Sequence, residues 1–507
     1  MHEPPIALTP RQRKIVLVVV AFTLMMVVSA VSGLNVALPS LARDTGASQR
    51  DLQWIIDAYT VVFAGLLLPA GAFGDRFGRK GTLLVGVAIF GSAASMAFFA
   101  HSPGTLIALR CLMGVGAAAV MPTTLSIITT SFPEEERARA VGVWVGVVGG
   151  GAVIGLIGSG ILLEFFNWSS FFALNVALAL LGFAGTLAFV PKSVEANPPD
   201  LDFVGAIFSL AGVSSLVFAI IDGPDRGWSD PLIVGAFAVA VLAIISLIWW
   251  ELRLAEPMLD PRLFKLRGFG TGSLSLTVQF FAAFGFFFTI LQYLQFVTGF
   301  SALKAALALL PLPLIMVPLA RRAPLFAKKV GLNRLASMGL VLMAIGFLIF
   351  SQLQVNFVYL HFLIGLVFFA AGMALAGTPA TTAIVSSLPE TKQGVASAVN
   401  DTSRELGSAI GIAILGSVLN AQYRSGIADA LIPLPARVAD GARGSIAFLQ
   451  SDVIARLGPA GVHLADVAKR SFVDGVSTAF IVAAAVLLIA AVYVLVRAPK
   501  REFTEPA

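Results

Sequence analysis

Apolar runs of about twenty residues, separated by short turns that hold most of the charge, recur along the chain from residue 15 to residue 496. Wound as an α-helix, a run of that length crosses the hydrocarbon of a bilayer while satisfying its own backbone hydrogen bonds, so few other folds are open to it. Fourteen such helices are predicted, near 15–38, 52–72, 82–101, 104–130, 140–163, 169–190, 203–221, 231–250, 271–292, 302–320, 334–352, 357–385, 394–420 and 473–496. The chain therefore reads as an all-α integral membrane protein. Its 12% of charged residues is about half the share of a soluble domain.

Several function classes drop out on residue counts. The single cysteine, Cys111, lies inside an apolar run, so no disulfide can form within the chain, and His2, His101, His361 and His463 show no ligand spacing. No metal site and no cofactor is expected. The formal charge of +6 is spread over short loops without a basic stripe, which argues against nucleic acid. No Gly-x-Ser-x-Gly, His-Glu-x-x-His or paired histidines point to an enzyme.

The positive charge instead orients the chain. An even number of spans puts both termini on one side, and of the 34 Lys and Arg, 22 fall on that side and 9 on the other, with Arg110, Lys304 and Arg404 within spans or at a span's edge. Short cytoplasmic loops collect Lys and Arg, so both termini are expected in the cytoplasm of a cell whose inner membrane holds the protein. The apolar run after Arg11-Gln12-Arg13-Lys14 is too long for a signal peptide and is read as a retained first helix.

Between the second and third spans lies Gly71-Ala72-Phe73-Gly74-Asp75-Arg76-Phe77-Gly78-Arg79-Lys80. Its glycines allow two helix ends to approach closely, and its charges end one span and start the next. The stretch resembles the loop between the second and third helices of the major facilitator superfamily, Gly-x-Leu-Ala-Asp-Arg-x-Gly-Arg-Lys, with Phe73 in place of Leu and Gly74 in place of Ala. The resemblance implies a gating loop, formed by Gly71, Asp75, Arg76, Gly78, Arg79 and Lys80, that latches two halves of a transporter in its outward-facing state.

Spacing also suggests an internal repeat. Ala327-Lys328-Lys329-Val330-Gly331 through Gly339 repeats the layout of Gly74 through Gly86 at an offset of 253. Ser387-Leu388-Pro389-Glu390 echoes Ser131-Phe132-Pro133-Glu134 at 256, and Pro379-Ala380-Thr381-Thr382 echoes Pro122-Thr123-Thr124. Helices 1–6 then map onto 9–14. This predicts a six-helix bundle over 1–197, a two-helix insertion over 198–262, and a second six-helix bundle over 263–507 that includes an extracytoplasmic loop at 421–472 with a short helix near 444–456.

Charges inside spans are costly and each calls for an account. Asp57, about 7–8 Å below the outer boundary, is either a proton-exchanging carboxylate or a residue that snorkels outward or pairs with Arg50. Arg110, in Leu109-Arg110-Cys111-Leu112-Met113-Gly114-Val115-Gly116, resembles the buried fourth-helix arginine that the family uses in proton transfer, with Met113 where glutamine is usual; the alternative is a cation pinning helix 4 to helix 1. Asp401, Arg404 and Glu405 share a helix face, where Arg404 could neutralise one acid and leave the other for a proton or a cationic substrate. A self-neutralising cluster is the plainer reading. Asn35, Met113, Gln279, Phe284 and Gln292 are candidates for the substrate cavity. The phenylalanines around Phe284 are otherwise lipid-facing or packed, and a buried amide needs partners.

Helix 5 holds Gly142, Gly146, Gly149, Gly150, Gly151, Gly155, Gly158 and Gly160 and resembles the family's antiporter helix, with Leu156 in place of proline and Ser159 interrupting its final glycines. Ala30 stands where fourteen-helix drug pumps carry an acid in helix 1. Further stretches that carry the resemblance are Trp168 through Asn175, Gly227-Trp228, Tyr293-Leu294-Gln295 and Arg404-Glu405-Leu406-Gly407. Together they are similar to the drug:proton antiporter branch that includes quaternary-ammonium pumps. The expectation is a monomeric, proton-driven exporter of small amphipathic organic compounds working by alternating access. Ala30 and Leu156 favour the alternative, an uncoupled carrier or an exporter of one metabolite or lipid.

Overall fold

Residues 8–194, 201–254, 257, 259–388, 393–450, 452–455 and 457–499 are described by a computed structural model, and among them there is no strand. The helices run α1 Pro10–Thr45, α2 Gln49–Phe77, α3 Arg79–Phe98, α4 Pro103–Ser131, α5 Glu134–Phe165, α6 Ser170–Phe189, α7 Phe203–Arg226, α8 Pro231–Glu251, α9 Arg267–Gln292, α10 Ala302–Ala308, α11 Pro311–Val330, α12 Leu332–Phe350, α13 Tyr359–Val385, α14 Gln393–Leu431, α15 Ala436–Gly444, α16 Asp452–Ala455 and α17 Pro459–Arg497. The expected spans fall on α1–α9, the α10–α11 pair, α12, α13, α14 and α17. By the described residues twelve are long and apolar enough to cross a membrane, thirteen if α2 counts as one bent span, and α5 adds the apolar stretch Ile154–Phe165.

Local chemistry sets the ends. Thr9 and Gln12 form a capping box at the start of α1, and Ser48 and Asp51 form another at the start of α2. The charged turn proves to be almost wholly helical. Asp75 and Arg76 sit in the last turn of α2, Arg79 and Lys80 open α3, and the connection is Gly78 alone, whose φ of 113° suits glycine. α2 is bent by 54° between Gln49–Leu67 and Pro69–Phe77, because Pro69 has no N–H to give to the helix ladder.

Three other expectations shift. The tenth predicted span breaks into α10 and α11 just before Pro311. α14 runs on to Leu431 and α17 begins at Pro459, so the expected loop at 421–472 is largely helix. In place of a helix at 444–456 there are α15, a 3-10 turn at Ile446–Gln450 and the short α16. Pro389 and Glu390, which carry part of one sequence echo, and half of the predicted linker at 191–202 lie outside the described residues.

Packing partners recur after eight spans. α1 lies against α5 and α6 as α9 lies against α14 and α17. α4 packs on α2 and α3 as α13 packs on α11 and α12, and α3 meets α6 as α12 meets α17. Between these sets α2 meets α14 and α5 meets α10. α7 packs on α8, α2 and α14. α8 buries only Ile233, Ala240, Ala243 and Glu251, so most of it is left to face lipid.

Glycine permits the closest crossings. A Cβ on Gly114 would stand 2.6 Å from the carbonyl oxygen of Tyr59, bringing α4 onto α2, and one on Gly155 would stand 2.8 Å from Cα of Ser29, bringing α5 onto α1. α5 stays one helix through Leu156. Ser159 is buried with its hydroxyl where a side chain on Gly33 would lie.

Candidate functional site

Gly78 marks one end of the molecule, called inner, and Gly46, which caps α1, marks the other, called outer. Buried charge gathers between them from both sets of helices. On α4, Arg110 is fully buried; its Nε donates to the carbonyl oxygen of Ile55 at 2.9 Å, and its guanidinium carbon stands 4.2 Å from the ring centre of Tyr59. The Tyr59 hydroxyl donates to the carbonyl oxygen of Val27 at 3.2 Å. Arg110 thus binds α4 to α2 and, through Tyr59, reaches α1. Its two terminal nitrogens have no hydrogen-bond partner among the described residues.

From the other set, Glu405 of α14 lies near enough to Tyr59 to act on it electrostatically, and Asp401, one turn earlier, is buried. Arg404 turns to α9. Its guanidinium carbon is 5.3 Å from the ring centre of Phe280, which stacks on Phe284 at 6.0 Å. Nε of Arg404 has no hydrogen-bond partner among the described residues. Arg404 thus lies against an aromatic pair on α9 while still acting electrostatically on Asp401 and Glu405.

Asp57 is fully buried on α2, and neither carboxylate oxygen has a hydrogen-bond partner among the described residues. Pairing with Arg50 is not what the structure holds, because Arg50 binds Asp222 of α7. The neighbours of Asp57 one turn to either side show where it points. Nε2 of Gln53 donates to the carbonyl oxygen of Ala413 at 3.1 Å, and Val61 packs on Ala409 and Ala413. Asp57 therefore occupies the seam between α2 and α14.

The neutral candidates divide. Asn35 and Gln292 are buried, each spends its amide N–H on its own helix, and each leaves its side-chain oxygen without a donor among the described residues. Gln279 bonds back to Ser275, to both the carbonyl oxygen and Oγ at 3.0 Å, with its oxygen toward Gly377 of α13. Met113 is fully buried one turn from Arg110. Phe284 is half-buried, while Phe286 is locked among Phe347, Phe350, Phe369 and Phe480. Ala30 is buried in α1.

The inner turn forms its own network. Oδ1 of Asp75 accepts from Nε of Arg79 at 2.8 Å and from Oγ of Ser126 on α4 at 3.0 Å, and Nζ of Lys80 donates to the carbonyl oxygen of Leu187 at the end of α6. Arg76 is exposed; Gly71 faces Pro122 of α4. Sequence reasoning missed Tyr59, Gln53 and Asp222. Tyr59 stands two residues after Asp57 and offered only an aromatic inside an apolar run. Asp222 offered more, since a carboxylate at a helix end followed by Gly-Pro-Asp-Arg is open to a cation.

The sequence matches the model of the Major Facilitator Superfamily over residues 20–412. It is 32% identical over 494 residues to the multidrug efflux pump LfrA of Mycolicibacterium smegmatis, with 97% of each chain covered. It is 33% identical to the methyl viologen resistance protein SmvA of Salmonella typhimurium, over 90% of this chain and 93% of that one. Among solved structures, a bacterial homologue of the human lysosomal transporter Spinster, inward-facing and occupied, shares the fold with a TM-score of 0.63 at 16% identity, covering 96% of this chain and 97% of that one.

Proposed function

The chain belongs to the major facilitator superfamily, and we propose that it is a proton-coupled exporter of small amphipathic organic compounds that works by alternating access. The observation that carries this reading is the approach of charge from two helix sets: the buried Arg110 with Tyr59 on one side, the half-buried Glu405 with the buried Asp401 on the other. In proteins of this chain's length and similarity, efflux of multiple drugs and resistance to methyl viologen, a flat dication, are the named properties. Phe280, Phe284 and the acids of α14 suit a flat or cationic ligand.

The working division is a bundle over 1–197, an insertion over 198–262 and a second bundle over 263–507, with both termini in the cytoplasm. The recurrence of packing partners after eight spans supports it. The outer ends of the two bundles are joined by the bonds of Gln53, so this is a form closed to the outside. Sealing Asp57 as an unpaired anion in this seam costs several kcal/mol, on the order of 3–5. A proton on Asp57 therefore favours the closed seam, and its loss favours parting of α2 from α14. Arg110 and Glu405 would pass the same charge change to the cavity. The gradient of protons supplies the energy, and no cofactor takes part.

The test is substrate-driven proton release from vesicles carrying the whole protein. Asp57→Asn and Glu405→Gln are each expected to abolish it, and unchanged release in both would sink the assignment. Ala30 favours a second reading, an exporter of one metabolite or lipid without proton coupling. Such a carrier would keep its rate when the pH gradient is collapsed.

A further inference from the structure

The sequence Asp222-Gly223-Pro224-Asp225-Arg226-Gly227-Trp228 closes α7 and carries two carboxylates that the transport steps above leave unused. Three positions apart on a helix, they share a face, and that face lies over the groove between α2 and α14. Asp222 is fully buried and turned to α2. Arg50 grips both its oxygens, with Nε at 2.8 Å and Nη2 at 2.6 Å, and Nε1 of Trp54 donates to it at 3.1 Å. Arg226, one turn on, adds a third cationic contact at 3.2 Å.

Asp225 is turned the other way, to α14, where it accepts from Arg424 and from Nδ2 of Asn420 at 3.3 Å. A turn deeper, Oγ of Ser417 on α14 donates to the carbonyl oxygen of Ile220 on α7 at 2.8 Å and accepts from Nε2 of Gln53 on α2 at 3.4 Å. Beside these bonds, Val217 and Ile221 of α7 join Val61 of α2 and Ala409 and Ala413 of α14 in one apolar cluster. The end of α7 is built to hold this shape. Trp228 folds back across Gly223, where a Cβ would stand 2.5 Å from the ring, and Gly227 makes the turn with a φ of 95°.

We infer that the last two turns of α7 are the outer latch between the helix sets, and that α7 and α8 stay with the first set when the latch opens. The inference rests on alternating access as proposed above. The two sides of the latch differ in kind. On the α2 side the Asp222 carboxylate is fully buried, held by the two bonds of a partly exposed Arg50 and by Trp54, and parting it would strand a buried carboxylate. On the α14 side the side chains of Arg424 and Asp225 are 30% and 24% exposed, so solvent screens the pair and replaces what is lost. The seam that opens is therefore α7–α14, and Asp222 is the positioning residue that commits the insertion to one half.

The test uses the purified full chain in lipid with Cys111→Ala, and spin labels on His101→Cys, Ser229→Cys and Asn356→Cys. These are exposed outer-end sites of the first set, the insertion and the second set. Asp225→Asn should raise the long-distance population between 229 and 356 about two- to fivefold, the worth of a partly exposed pair, while 229 to 101 stays unchanged. Arg424→Gln cuts the same pair from its other side and should do the same. The charge swap Asp225→Arg with Arg424→Asp should restore the short distance. Lengthening of 229 to 101 instead, or no change in either distance, would overturn the inference, as would a swap that restores nothing. These distances are read without any substrate, so labels that move while flux is nil would fault the transport reading and uphold the latch.

Discussion

At the outer end, Gln53, Ser417, Asp222 and Asp225 tie α2, α7 and α14 together, and Gln295, in the π turn after α9, donates to the carbonyl oxygen of Val36 on α1 at 3.0 Å. Inner-end bonds run differently. Asp75 and Lys80 bond within the first six helices, Arg13 of α1 meets Glu136 of α5 at 3.2 Å, and Asn333 of α12 donates to Leu495 of α17. The apolar cores follow suit. One core spans both helix sets, whereas the inner ends of α9, α13 and α14 keep a separate one around Phe269, Leu276 and Ile384. Polar bonds across the sets hold a state, and polar bonds within a set hold a rigid body. The same residue types thus do different jobs at the two ends.

The contrast can be broken most forcefully at Asp222. Replacing it with Ala removes the bonds of Arg50, Trp54 and Arg226 and leaves two partly exposed cations without their acceptor, and a loss of about 1.5–3 kcal/mol is expected, seen as a lower melting temperature in detergent. Next comes Gly416, where a Cβ would stand 2.5 Å from Nε2 of Gln53 and 2.9 Å from Phe288. Gly416→Val should cost about 1–3 kcal/mol and drive α14 off α2, measured as faster labelling of a cysteine placed at the buried Ala413 in the Cys111→Ala background.

At the inner end the same measurements should move less. Asp75→Asn keeps an acceptor oxygen but loses the charge that the buried Arg79 meets on a 30% exposed Asp75, and weakens the bond with Ser126. Its melting temperature should reflect about 1 kcal/mol or less, while transport falls if this turn latches the opposite state. Gly74→Ala should change least. Its Cβ would meet Oγ1 of Thr123 at 3.0 Å, a tight contact offset by the roughly 0.5–1 kcal/mol that alanine gains over glycine within a helix. A melt within about 1 kcal/mol of the parent is expected, and labelling at position 413 should not change.

Helix content and order were legible because each span must satisfy its backbone in lipid and is written as an apolar run. Arg110, Asp401 and Glu405 were legible because a charge in such a run is conspicuous, although Arg404 facing Phe280 was not: spacing fixes a helix face, and the partner across it is a tertiary fact. The break before Pro311 could have been read from proline itself. Asp222 lay hidden for a different reason. Near the end of a predicted span it looked like an ordinary interfacial acid, and its burial depends on Arg50, 172 positions away. The continuation of helix through Asp75 and Arg76 escaped a reading that equated the end of the hydrocarbon with the end of the helix.

The single glycine between α2 and α3 leaves the chain no slack. One residue inserted beside Gly78 would swing all that follows by about 100° about the helix axis, turning Thr82 and Phe90 away from α4. The exposed segment at 432–435, between α14 and α15, could lengthen without disturbing any span. Natural variation in length should therefore crowd into that outer segment and be purged from the turn, so the molecule's rigid and elastic parts would be visible in nothing more than where relatives differ in residue count.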